Sequence, residues 1–257
     1  MDEIIAKIKA WVAEVQDFFY LCVHTLHATF TRPRFPNEVF LQMDTIGVGS
    51  INIVVLTGLF TGMVLALQTA LSLETFGAKN YVGRVVSLSM VRELGPVLTA
   101  LMVAGRMGSG IAAELGSMVV TDQVNAMRAM GSDPIRKLVV PRMLAGLLMM
   151  PALTIFSDTI GLIGGWLVSV VILNLPGDLY FTSSIDALSL SDIVSGLIKP
   201  FVFGYIIAMV GCYMGLSTTG GTQGVGRSTT QSVVICSVLV LASDFLLTRL
   251  FFTFLIK

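Results

Sequence analysis

Five stretches of this chain are long and apolar enough to cross a lipid bilayer. A membrane-spanning helix needs about 20 largely apolar residues. Residues 45–71, 85–116, 143–174, 193–216 and 229–256 all reach that length. The first carries no charge, the third only Asp158, the fourth only Lys199, and the fifth Asp244 and Arg249. The second is the exception, with Arg92, Glu93, Arg106 and Glu114. Composition points the same way: 54% of the residues are hydrophobic and 12% charged. An average soluble domain carries about 25% charged residues. Such a deficit argues against a soluble domain, a disordered chain and a nucleic-acid binder. The net charge is zero, so only the placement of the charges is informative.

Residues 3–27 follow a heptad-like pattern, with Ile4, Ile8, Trp11, Val15, Phe18 and Cys22 in one stripe and Ile5, Val12, Phe19 and Leu26 beside it. Asp2, Glu3, Lys7, Lys9, Glu14 and Asp17 fall mostly off the stripe. Too many charges interrupt this helix for it to span; it reads as an amphipathic helix at the membrane interface, with a short coiled coil as the alternative. The prolines of 31–36 end it. The stretch 119–142 holds Arg128, Arg136, Lys137 and Arg142, whereas 175–192 holds Asp178, Asp186 and Asp192 and no basic residue. By the positive-inside rule the first is cytoplasmic and the second external. Five spans then put the N-terminus inside and the C-terminus, Lys257, outside. Residues 1–257 read as one membrane domain: 1–36 interfacial helix and linker, 37–257 the bundle.

Three cysteines (Cys22, Cys212, Cys236) in apolar surroundings read as packing residues, not as a disulfide framework or metal cluster. The only histidines, His24 and His27, lie near the N-terminus, so no catalytic or metal-binding set is read. Gly221–Ser228 matches P-loop spacing with Arg227 in place of lysine. A P-loop needs a strand before it and a helix starting at the Ser/Thr. Here an uncharged apolar run precedes it, so a Gly/Thr-rich turn is expected instead.

The second span carries the strongest constellation: Arg92-Glu-Leu-Gly-Pro96, Gly105-Arg106-Met-Gly108, and Glu114. A charge at bilayer depth costs roughly 2.5–3.5 kcal/mol on insertion scales, so each needs a partner or water. Arg92 and Arg106 fall roughly 40° apart on a helical wheel and can share one interior face. The alternative is that Arg92–Glu93 and Arg106–Glu114 are structural ion pairs. Pro96 predicts a kink. Lys199 either snorkels to the interface or meets an anionic headgroup. Asp158 and Asp244 are read as hydrogen-bonded within their helices, or else as members of a proton relay. The glycine pairs Gly58/Gly62, Gly161/Gly165 and Gly211/Gly215 suit close helix packing, within the chain or between copies. Residues 121–134 predict a short helix with Thr121 as N-cap and Gly131 as its stop. Its Val124, Met127 and Met130 form an apolar stripe, either a docking site for a soluble partner or packing under the bundle.

Taken together, these segments resemble the MlaE-type permeases of phospholipid-transport ABC systems that work with MCE-domain proteins. The likeness runs from Arg32-Pro33 to about Phe252. It rests on Leu56–Gln68, Arg92–Val97, Ala104–Arg106 with Gly108-Ser109, Ala113–Gly116, Asp133–Arg136 with Val140–Arg142, and Gly224–Thr230. The resemblance implies an all-α membrane protein: an interfacial helix, five transmembrane helices, and a cytoplasmic coupling helix between spans two and three. It implies a homodimer in the inner membrane, a cytoplasmic ABC ATPase that binds ATP and Mg, a periplasmic MCE ring, a STAS-domain accessory protein and phospholipid substrates. This chain would hold no cofactor and catalyse nothing. Lipid would meet Leu73, Phe76, Arg92, Glu93 and Lys199. The ATPase would dock on Asp122, Val124, Met127, Arg128, Met130, Asp133 and Arg136. The competing reading is an ion- or proton-coupled carrier using Arg92, Glu93, Asp158 and Asp244.

Overall fold

The computed structural model describes residues 2–31 and 35–254. Arg32, Pro33, Arg34 and Lys257, used above for the linker and for orientation, lie outside the described residues. So do the side chains of Ile4, Ile5, Ile8 and Trp11 and the first charges of the N-terminal helix.

All regular structure among the described residues is helical. Helix α1 spans Asp2–Phe30. Helices α2 (Pro36–Glu74), α3 (Lys79–Val120), α5 (Ile135–Val171), α7 (Leu190–Leu216) and α8 (Gly221–Phe254) are long and apolar enough to cross a membrane. Two short helices, α4 (Gln123–Ala129) and α6 (Gly177–Ala187), lie between spans. The five expected spans are thus all present, each extended at one or both ends.

Local sequence explains most departures from the simple reading. The acidic stretch 175–192 is not a loop: it folds as α6 and the first turn of α7, with Tyr180 and Ser184 buried against the start of α3. Gly221–Ser228 is not a turn either. The turn lies at 217–220, and residues 221–228 are the first two turns of α8. With helix α7 before it and no strand, this segment has no phosphate-cradling geometry. Gly220 and Gly221 carry the positive φ angles (89° and 68°) that swing the chain from α7 into α8.

Helix α3 does not break at Pro96. Instead the backbone widens into π-turns at Met90–Leu94 and Ala104–Gly108. A π-turn inserts one extra residue, so it absorbs a missing proline N–H without ending the helix. Similar turns occur at Asp44–Val48 in α2 and at the start of α5, over Ile135–Val139.

The bundle centres on α5, which packs against α2 on one side and α7 on another. The glycine pairs act within the chain. A Cβ on Gly58 would come 2.7 Å from the Ser157 carbonyl, and one on Gly62 would strike the Gly161 backbone. In lipid, where burying apolar surface drives little, such backbone contact is a main source of helix association. Cys212 and Cys236 are buried in the core.

Helix α1 lies against the start of α5 and the end of α7. Leu21, Thr25 and Ala28 are buried beneath it, and Phe18 meets the Tyr213 ring edge-on. Val12, Val15, Phe19, Val23 and Leu26 remain exposed. An apolar outer face on a helix already packed on the bundle fits a helix lying in the membrane interface.

Candidate functional site

Pro96 has no N–H to give to the carbonyl of Arg92, four residues back. That oxygen is taken by Lys199 of α7, whose Nζ donates to it at 2.9 Å. Lys199 is buried, with 2% of its side chain exposed. The same ammonium meets Glu93 Oε2 at 2.8 Å, Thr248 Oγ1 at 2.8 Å and Asp244 Oδ1 at 3.0 Å. Thr248 in turn donates to Glu93 Oε1 at 3.2 Å. Three donors on one ammonium of α7 thus serve four oxygens from α3 and α8. A buried cation is tolerable only with such pairing.

Arg92 points elsewhere. Its Nε and a terminal nitrogen both lie 2.7 Å from Asp192 Oδ1. The other oxygen of Asp192 accepts from the backbone N–H and hydroxyl of Ser189, at 3.0 and 2.7 Å, closing a capping box on α7. Arg92 therefore fixes α3 to the first turn of α7. The cluster is not sealed: Glu93 is 39% exposed and Arg92 29%, and the next residue in the chain, Leu94, lines a groove of about 340 Å³ with Phe60, Val64, Leu65 and Gln68.

The pairs Arg92–Glu93 and Arg106–Glu114 do not form. Adjacent helical residues point about 100° apart, and residues eight apart are separated by about 12 Å along the axis. Arg106 instead donates to the Thr45 carbonyl at 3.0 Å and to Ser50 Oγ at 2.9 Å on α2. Glu114 pairs with the buried Arg142 at 2.7 Å. Nor do Arg92 and Arg106 share a face, because the π-turns at both positions shift the helical register that the wheel assumes.

Of the residues expected to meet lipid, Arg92, Glu93 and Lys199 come together. Leu73 is half-buried on the apolar cluster that also receives Leu94, and Phe76 is exposed in the turn after α2. Asp244, expected to bond within its own helix or to belong to a proton relay, instead meets Lys199; Asp192, expected in an external loop, holds Arg92; nothing in the sequence singles out Thr248. Asp244 and Thr248 are four residues apart on one helix, a spacing that places them on the same face. Asp158 sits apart from this cluster. Its Oδ1 abuts Gly95, directly after the π-turn, and has no hydrogen-bond partner among the described residues.

At the opposite end, α4 forms as expected but starts differently. Thr121 ends α3; the N-cap of α4 is Asp122, in the left-handed region at φ 57°. Gly131, at φ 76°, stops it, with Gly131 N–H donating to Arg128 O and Ser132 N–H to Met127 O, both at 3.0 Å. The apolar stripe splits. Val124 is 4% exposed and Met127 half-buried, both on the core, while Met130 is 76% exposed. Asp122 and Arg128 are also exposed. Asp133 accepts from Ile135 N–H at 2.9 Å and pairs with Arg136 at 3.2 Å, shaping the entry to α5.

The family model described as "Permease MlaE" matches residues 39–250. A probable ABC transporter permease protein of Rickettsia typhi is 45% identical over 220 residues, 86% of this chain and 85% of its own. A probable ABC transporter permease protein of Synechocystis is 44% identical over 96% of this chain and 94% of its own length. The intermembrane phospholipid transport system permease protein MlaE of Haemophilus influenzae is 40% identical over 86% of this chain and 85% of its own. The matched span takes in every element of the ion cluster, and by it the chain belongs to the MlaE permease family.

Proposed function

We propose that this chain is the permease subunit of an ABC transporter that moves phospholipid between the inner membrane and a periplasmic MCE-protein ring. The carrying observation is the partly exposed edge of a buried ion cluster, Arg92 and Glu93, followed in the chain by Leu94 of an apolar groove. An amphipathic substrate needs that combination: apolar walls for its chains and a few charges for its head. Arg92, with Nε and one terminal nitrogen held by Asp192, meets the phosphate through its other terminal nitrogen. Lys199, enclosed by Glu93, Asp244 and Thr248, reaches a headgroup only when the cluster opens; in the closed arrangement it holds α3, α7 and α8 together. Leu73 and Phe76 supply apolar contacts toward the same end. The relative named for intermembrane phospholipid transport supports the substrate class.

The energy comes from a separate cytoplasmic ATPase, which binds ATP and Mg; this chain holds no cofactor. Two copies of the permease pair, and each receives one ATPase on the exposed surface of α4, through Asp122, Arg128 and Met130. Asp133 and Arg136 hold the turn beneath that surface, and Val124 and Met127 anchor it to the bundle. A STAS-domain protein accompanies the ATPase. The basic residues of 128–142 face the cytoplasm with the N-terminus, and the C-terminus is periplasmic. The proton-carrier reading loses its support with family membership.

Purification with native partners tests this. An associated ATPase, retained phospholipid and ATP-dependent lipid transfer are expected, with Arg92→Glu losing lipid. A lipid-free monomer, active without any ATPase, overturns it.

A further inference from the structure

Helix α6 (Gly177–Ala187) joins two membrane-crossing helices, α5 and α7, but with 11 residues it is too short to cross. One side of it is held by the bundle. Tyr180 and Ser184 are buried, Ser184 Oγ donates to the Tyr180 carbonyl at 2.8 Å, and Gly83 of α3 abuts that same carbonyl. The remaining surface divides in two. Phe181 and Ile185, four residues apart, share an apolar flank, and Ile185 is 67% exposed. Thr182 and Asp186, also exposed, share a polar one. Phe181 and Asp186 point about 140° apart.

The apolar flank continues a row of side chains on α5. Ile163, Leu167 and Val171 are exposed at intervals of four residues, and Val171, 69% exposed, ends that helix. Trp166 stands beside this row, and its ring meets that of Phe181 at 5.8 Å between centroids. Phe181 thus carries the apolar surface of α5 past the end of the helix, and a Trp at that level is typical of a membrane–water boundary. We propose that α6 lies in the surface of the adjacent leaflet, with Phe181 and Ile185 sunk among the lipids and Thr182 and Asp186 turned to water. An apolar flank beside a polar, charged one suits that placement. The occupant is a lipid surface because the row that Phe181 extends belongs to a membrane-crossing helix. The inference rests on α5 and α7 crossing the membrane, not on the transport reading. It also sets the depth of the ion cluster. Ser189 caps α7 two residues after α6 ends, and Asp192 in the first turn holds Arg92. Arg92 therefore stands level with the headgroups, and Lys199, seven residues beyond Asp192, about 10 Å deeper.

The test uses the full chain, purified with its partner subunits, in vesicles of phosphatidylethanolamine and phosphatidylglycerol. Cys22→Ser removes the one native thiol that is not buried. Single cysteines are then introduced by Phe181→Cys, Ile185→Cys, Thr182→Cys and Asp186→Cys, with Ile163→Cys as the bilayer reference, and each is spin-labelled. Power saturation reads collisions with oxygen, which concentrates in lipid, and with a nickel chelate, which stays in water. Oxygen should dominate at positions 163, 181 and 185, and the chelate at 182 and 186. Chelate dominance at 181 and 185 places α6 in water and overturns the proposal. Exclusion of both reagents there overturns it too, since a second copy or a partner subunit then covers the flank. ATP-dependent lipid transfer in the same vesicles reads transport separately, so the two proposals fail independently.

Discussion

The ammonium of Lys199 stands 2.9 Å from the carbonyl oxygen of Arg92, the acceptor that Pro96 leaves without its helical donor. One side chain thus repairs a backbone defect in α3 and neutralises carboxylates from α3 and α8. Removing it does both kinds of damage. Lys199→Met should leave Glu93 and Asp244 facing each other without a cation, and breaking a buried ion pair from one side costs about 3–5 kcal/mol. Thermal unfolding of the purified complex measures this. Adding Asp244→Asn to Lys199→Met should recover part of the loss, because the two residues couple. Additive losses would show that they do not.

Arg92 and Asp192 provide a separate test. Both nitrogens of the Arg92 fork approach a single carboxylate oxygen at 2.7 Å. Lysine keeps the charge but loses the fork. Arg92→Lys should therefore lower stability by about 1.5–3 kcal/mol, the range for a hydrogen bond to a charged group. Asp192→Asn should cost at least as much, since it also weakens the capping box with Ser189. A melting curve unchanged by either substitution would contradict the interlock.

Glycine packing gives a third. Gly62 lies so close to the Gly161 backbone that a methyl group has no space, and the obstacle is main chain, not a side chain that can rotate away. Gly62→Ala should separate α2 from α5 and cost about 1–3 kcal/mol, the usual penalty of overpacking. Gly105, with nothing within 4 Å of an added Cβ, is the control. Gly105→Ala should leave monomer stability equal or slightly higher, because alanine favours a helix by about 0.5–1 kcal/mol. Denaturant melts of both variants decide the matter.

The spans were legible in the sequence because hydrocarbon imposes a length and a composition that any reader can count. The ion cluster was half legible. Arg92, Glu93 and Lys199 stood out as costly charges, but their partners depend on which faces of α3, α7 and α8 meet. A helical wheel fails for α3, since π-turns at Met90–Leu94 and Ala104–Gly108 each displace its register. Asp192 was hidden differently: in sequence it closes an acidic stretch, and only the fold makes it the third residue of α7, closing a capping box with Ser189. Thr121 was misplaced by its residue type. Threonine is the weaker cap of the two by preference, and the backbone turns one residue on at Asp122, which tolerates the left-handed region.

The split stripe of α4 yields the sharpest contrast. Val124 is buried beneath the helix and Met130, six residues on, is 76% exposed. An aspartate at the first position places a charge in the apolar core, so Val124→Asp should disrupt the membrane domain itself, lowering its yield and its melting temperature. An aspartate at the second meets water in the isolated chain, so Met130→Asp should leave the melting curve within about 0.5 kcal/mol of the parent. If α4 receives the ATPase, Met130→Asp should nonetheless reduce ATPase recovery in a pull-down and lower ATP turnover of the complex. Normal assembly with Met130→Asp would remove α4 as the contact, whatever Val124→Asp does, because only the Met130 variant perturbs the outer surface without touching the core.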